Sequence, residues 1–177
     1  MNSKLAKMGV GFLLIMGIAA ALGIITLLVK VKSIEGRVVP SGSMLPTIQV
    51  NDRVMVDKSA YLSNKPQRGD IIVFRPPLAA NSGDYIHRAI GLPGETVEVK
   101  DGSVFVNNQR LSESYITKPP NYEFGPVTVP ENCLFVLGDN RNSSYDSHLW
   151  NKWLTIDNVK GKAVYRYWPP ERMGPIE

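Results

Sequence analysis

An uninterrupted uncharged run, GVGFLLIMGIAAALGIITLLV, fills positions Gly9 to Val29. No feature constrains the fold of this chain more. A helix rises about 1.5 Å per residue, so a run of this length matches a hydrocarbon core of about 30 Å. The rival reading is a cleaved leader, whose apolar region spans roughly 7 to 15 residues before a small-residue cleavage site. This run is longer and ends in Leu27-Leu28-Val29-Lys30, a poor cleavage site. The expectation is therefore a tail over 1–8, a retained transmembrane helix over 9–29, and a globular part over 30–177. Lys4 and Lys7 precede the run while Lys30, Lys32 and Arg37 follow it. Charge thus leaves the orientation open.

The globular part reads as β-structure. DRVMVDK alternates apolar and polar side chains, DIIVFRPP is a short apolar run stopped by prolines, and CLFVLGDN and KGKAVYRYWPP have strand character. ETVEVKDGSVFVNNQRL carries two alternating stretches around Asp101-Gly102, a pair suited to a tight primed turn, so a hairpin is expected there. No long amphipathic helical pattern follows Ser33. The fold class expected is mostly β: antiparallel sheets folded on each other into a compact core, with a small excursion around 96–132. Within that excursion Thr117 to Pro130, rich in Pro, Asn and Gly, reads as a loop.

Composition narrows function. The net charge is +4, from 20 basic and 16 acidic residues with no basic helix or stripe, which argues against a nucleic-acid partner. A lipid bilayer is the partner the apolar run implies. The single cysteine, Cys133, lies in the apolar run CLFVLG and reads as a small buried hydrophobe without a neighbouring base. Neither a metal nor a cofactor is expected: the two histidines, His87 and His148, are far apart and lack a compact set of thiolates or carboxylates.

Three polar clusters fall in or beside turns, where a rigid β-scaffold displays chemistry: PSGSMLPT at Pro40 to Thr47, DYIHRAIGLPGE at Asp84 to Glu95, and GDNRNSSYDSHLW at Gly138 to Trp150. Taken singly each has a plain reading. Serines beside Gly and Pro are usually turn residues, His87 fits an ordinary strand position, and Asn142-Ser143-Ser144 matches a glycosylation acceptor. PSGSM does not match the nucleophile elbow of the α/β-hydrolases.

Taken together with the apolar run and RGDIIVF, and in this order, the clusters resemble the type I signal peptidases, particularly the bacterial and organellar branch. The likeness covers nearly the whole chain, and the ending AVYRYWPPERMG is similar to cyanobacterial members. The resemblance implies a membrane-anchored serine endopeptidase that removes signal peptides from exported precursor proteins. Ser43 corresponds to the nucleophile, and Ser41 with the Ser43 amide to the oxyanion donors. His87 stands at the general-base position, where the bacterial branch normally has lysine. Ser144 matches a hydroxyl that orients the base, and Arg88, Asp139 and Asp146 match charged residues that brace the site.

It further implies an N-terminus on the cytoplasmic or stromal side and a catalytic domain in the periplasm or thylakoid lumen. No oligomeric state follows. The alternative is a catalytically impaired relative that binds precursors or assists membrane-complex assembly. A self-cleaving regulator of related fold is disfavoured by the apolar run and the lack of a DNA-binding segment. An imidazole base of ordinary pKa predicts cleavage that falls away below about pH 6 to 7.

Overall fold

The computed structural model describes residues 16–24, 33–77 and 83–176. The chain divides into two units, Met1–Ile34 and Glu35–Glu177. In the first, 16–24 is helical (α1), with Met16, Ile18, Leu22 and Ile24 exposed. The remainder of the expected 9–29 span lies outside the described residues. Among the described residues no helix is long and apolar enough to cross a membrane.

The second unit is built from antiparallel strands. The larger sheet runs β1 (Ile34–Val38), β2 (Arg53–Asp57), β11 (Val159–Trp168), β3 (Ile71–Phe74), β4 (Tyr85–Gly91), β9 (Cys133–Leu137) and β10 (Leu154–Thr155), with β12 (Gly174–Pro175) also on β11. A smaller sheet runs β7 (Gln109–Arg110), β6 (Ser103–Val106), β5 (Thr96–Lys100) and β8 (Phe124–Thr128). Among the described residues of this unit the only α-helix is one turn, α2 (Ser147–Trp150).

Side-chain patterning explains the placement. In β2 the sequence RVMVD turns Val54 and Val56 inward, while β3 (IIVF) and β9 (CLFVL) are buried at every position because strands and packing cover both faces. β4 lies between these two, and its alternation puts Tyr85, His87 and Ala89 on one face and Ile86, Arg88 and Ile90 on the other. His87 stands opposite Ile72, deep in the middle of the sheet.

The hairpin forms where expected. Asp101 (φ 49°) and Gly102 (φ 68°) both take the left-handed conformation of a primed turn between β5 and β6. The stretch holds three strands rather than two, because Asn107 (φ 50°) and Asn108 (φ 63°) make a second such turn into β7. Reading Thr117 to Pro130 as a loop also misses β8, which pairs with β5. Pro126 concealed it. Proline cannot donate to a ladder, but β8 is an edge strand, where that deficit is tolerated. Cys133 is buried, and burial pushes its thiol up, away from the reactive thiolate.

Candidate active site

The turn carrying Ser43 joins β1 to β2 and is pinned from below. Met44 and Ile48 are fully buried among Val39, Val54, Val56, Ile71 and Val73. Burying one such side chain is worth about 1.5–3 kcal/mol, enough to fix its neighbours. Met44 is therefore core, whereas Leu45 is partly exposed. Backbone bonds from Leu45 to Gly42 and from Ile48 to Met44 close the turn. Ser43 is left half-buried and Ser41 exposed, their hydroxyls 3.4 Å apart.

A second loop grips this turn. After β9 the chain enters Gly138–Asp146, where the Asn140 N–H donates to the Ser43 carbonyl at 2.9 Å and the Asn140 side chain to the Gly42 carbonyl at 3.0 Å. A Cβ on Gly138 would run into both Ser144 and the Ser43 carbonyl, so only glycine permits this approach. Asp146 is fully buried. It accepts from the Gly138 N–H at 2.9 Å and contacts His148 Nδ1 at 2.6 Å.

Arg88 and Asp139 form a buried bidentate pair at 2.9 and 2.8 Å, and Thr47 donates to Asp139 at 2.6 Å. The pair thus ties β4, the Gly138 loop and the Ser43 turn together. The Arg88 guanidinium also lies 3.8 Å over the Tyr115 ring.

His87 is 2 % exposed and enclosed by aromatic rings: Phe74 at 5.7 Å, Tyr85 at 5.9 Å and Trp150 at 6.2 Å between centroids. Its Nε2 shares a hydrogen bond with Ser144 Oγ at 3.3 Å, and its Nδ1 is buried without a partner among the described residues. Burial disfavours the imidazolium and lowers the pKa to about 4, against the opposing pull of Asp146 and Asp139. The expectation of an ordinary pKa near 6 to 7 took no account of this burial, which favours the neutral ring.

Ser43 and His87 line one cleft of about 400 Å³, together with Pro40, Ser41, Tyr85 and Tyr145. Among the described residues no hydrogen bond joins the two. All seven expected site residues therefore lie on three adjoining segments: the Ser43 turn, β4 and the Gly138 loop. Sequence reading missed the enclosing rings. Tyr85 was recoverable, since it lies two residues before His87 on one face of a strand, but Phe74 and Trp150 arrive from distant segments. It also missed Asn140 and Gly138. The glycosylation reading of Asn142 loses ground, because its side chain accepts from the Asn121 N–H and donates to the Pro119 carbonyl, both at 2.9 Å. Among the described residues no group of His, Cys, Asp and Glu could hold a metal ion.

A family model described as signal peptidase, peptidase S26, matches residues 10–168. The chain belongs to this family of serine peptidases. It is 48% identical over 167 residues to a signal peptidase I of Leptolyngbya laminosa, covering 91% of this chain and 79% of that protein. It is 47% identical over 144 residues to a probable signal peptidase I-2 of Synechocystis sp., covering 79% and 66%. A probable thylakoidal processing peptidase 2, chloroplastic, of Arabidopsis thaliana is 42% identical over 158 residues, covering 86% of this chain and 43% of that one. A solved signal peptidase I from Enterococcus faecalis is 37% identical, covering 56% of this chain and 97% of that chain, with a TM-score of 0.49. This S26 peptidase is thus a peptide-bond hydrolase of the signal peptidase I type, and its relatives support signal-peptide removal as its task.

Proposed function

We propose that this S26 peptidase cleaves signal peptides from exported precursors with Ser43 as nucleophile and His87 as general base. The observation that carries the reading is that a half-buried serine hydroxyl and a neutral, buried imidazole with an unpartnered Nδ1 line the same cleft. A serine hydroxyl needs a base to become a useful nucleophile, and a neutral imidazole is one. A neutral imidazole carries one nitrogen lone pair, and in this mechanism it takes the Ser43 proton.

The reaction then runs as acyl transfer. Ser43 Oγ attacks the scissile carbonyl carbon as its proton passes to His87. The carbonyl oxygen gains negative charge, which the Ser41 hydroxyl and the Ser43 N–H stabilise. Collapse of the intermediate expels the amine, which takes the proton from His87 and leaves an ester on Ser43. Water, deprotonated by His87, hydrolyses that ester and regenerates Ser43. Ser144 orients the ring; Arg88, Asp139 and Asp146 hold the segments that carry it.

The apolar 9–29 run and the exposed apolar side chains of α1 support a membrane anchor. With it go an N-terminus on the cytoplasmic or stromal side and a catalytic unit in the periplasm or thylakoid lumen. The precursor is taken as an extended chain entering the cleft as an added strand.

One observation favours a second reading. His87 is bonded to Ser144 and not to Ser43, as in a relative that holds precursors but turns them over poorly. The deciding experiment incubates the detergent-solubilised full chain with a precursor and sequences the product's new N-terminus. Cleavage at the leader junction, abolished by Ser43→Ala and by His87→Ala, supports the peptidase mechanism. Precursor bound without cleavage supports the second reading, and cleavage that survives Ser43→Ala overturns both.

A further inference from the structure

The Gly138 peptide is held at both ends, and each grip starts on the same distant segment. Its N–H donates to Asp146, which holds the His148 ring, and that ring stacks on Tyr122 with centroids 4.1 Å apart and planes 6° from parallel. Its carbonyl accepts from Arg141 Nε at 3.0 Å. The Arg141 guanidinium is fully buried and bidentate on Glu113 at 2.9 and 2.6 Å. Glu113 and Tyr122 both lie between β7 and β8, in the smaller sheet's connection. A third fastener runs beside these, since Asn142 clips the backbone of the same connection at Pro119 and Asn121.

What is gripped matters. Gly138 is the residue where an added Cβ would meet both Ser144 and the Ser43 carbonyl. A shift of its peptide moves the hydroxyl bonded to His87 and the turn that presents Ser43 together. A misplacement of about 1 Å at reacting groups can lower a rate roughly a hundredfold.

We propose that the 111–123 connection is a positioning element for the catalytic groups, with Glu113 and Tyr122 as positioning residues acting through the Gly138 peptide. This rests on the Ser43–His87 reading given above. The smaller sheet then has a role beyond covering the core: its return path sets the register between the Ser43 turn and the β4 imidazole. Neither residue touches the cleft, so the substrate's affinity is left alone while the chemical step suffers.

The test measures kcat and KM separately for precursor cleavage by the full chain in detergent. Tyr122→Leu, which removes the stack but keeps apolar volume, lowers kcat at least tenfold with KM within twofold. Tyr122→Phe keeps the stack and stays within twofold of the parent, a rescue that a merely bulky filler would not need. Glu113→Gln lowers kcat similarly. Should Tyr122→Leu or Glu113→Gln fail to fold, Asn142→Ala cuts the exposed clip alone and lowers kcat at least threefold.

Folded Tyr122→Leu, or Asn142→Ala in its place, with parental kcat overturns the proposal. Ser144→Ala, run alongside, separates the two failures: if it is impaired and the connection variants are not, only the positioning role falls. If the parent does not cleave, or Ser144→Ala cleaves as the parent does, the catalytic reading falls and takes this one with it.

Discussion

The His87 imidazole lies stacked against the Trp150 indole, with centroids 6.2 Å apart and planes 28° from parallel. Trp150 comes from the one-turn α2, and with Phe74 and Tyr85 it excludes water from the ring. The enclosure lowers the His87 pKa to about 4, which has consequences for both activity and stability.

For activity, the proposed base stays neutral until the solution is strongly acid. The acid limb of kcat/KM for precursor cleavage falls near pH 4 and not near 6.5. Trp150→Ala admits water to the ring and moves that limb upward toward 6.5. A parental limb near 6.5, or one that Trp150→Ala leaves in place, would remove the aromatic enclosure from the explanation.

For stability the sign follows from the same shift. The unfolded ring titrates near 6.5 and the folded one near 4. Above pH 6.5 both states are neutral and the folded state keeps its full stability. As pH falls from 6.5 to 4 the unfolded chain takes up a proton that the folded chain refuses. His87 therefore withdraws about 3 kcal/mol over that window. Chemical denaturation of the parent and of His87→Phe at pH 7 and pH 4.5 measures this: the parent loses more stability than the variant on acidification.

Under the proposed mechanism, lysine is a substitution that keeps a base at position 87. An ammonium in such a site loses hydration, and its pKa falls from about 10.4 toward neutrality. His87→Lys is expected to retain cleavage, with an acid limb moved to higher pH than the parent's. Total loss in a folded variant would mean that the Ser144 contact and the ring stack are shaped for imidazole alone.

How far the sequence carried this picture can be read from particular residues. Ser43, His87 and Ser144 were singled out only through the resemblance of their clusters, in order, to the signal peptidases, since each cluster alone had a plain reading; the structure brings their segments together. Val54, Val56, Val97 and Val99 were legible through period-two alternation. Glu113 was not, since nothing local marks a carboxylate in a loop as the buried partner of Arg141. Tyr122 was hidden for the same reason. β8 was hidden because its proline argues against a strand everywhere except at an edge. The pKa of His87 was misjudged because burial is a property of the assembled sheet, and Phe74 and Trp150 converge on the ring only after folding.

Gly138 offers a direct check on the packing of the two loops. Any Cβ there meets Ser144 and the Ser43 carbonyl at once, and neither neighbour can retreat. Ser144 is itself buried, and the Ser43 carbonyl is held by Asn140. Gly138→Ala is expected to lower kcat about a hundredfold or more. Gly174→Ala, where a Cβ meets nothing within 4 Å, serves as the comparison and keeps parental activity. Equal activity in both variants would show that the loops do not pack as described.

The Arg88–Asp139 pair gives the last prediction, because a buried ion pair responds asymmetrically to its removal. The two side chains are 3% and 0% exposed, so each charge depends on the other for solvation. Asp139→Ala removes the carboxylate paired with the buried guanidinium, which also donates to the Gly69 carbonyl and lies over the Tyr115 ring. It should cost about 3–5 kcal/mol. For a domain of this size each kcal/mol moves Tm by about 2–4 °C, so a fall of at least about 6 °C is expected. Thr47 loses its acceptor at the same time, and the Ser43 turn loosens with it. Removing both charges, as Arg88→Met with Asp139→Leu, leaves no stranded ion and is expected to recover part of the Tm. It is not expected to recover cleavage, because the apolar pair cannot hold Thr47. Thermal denaturation and precursor cleavage on the same three proteins separate the two effects. Activity that recovers in step with Tm would mean the pair serves the fold alone.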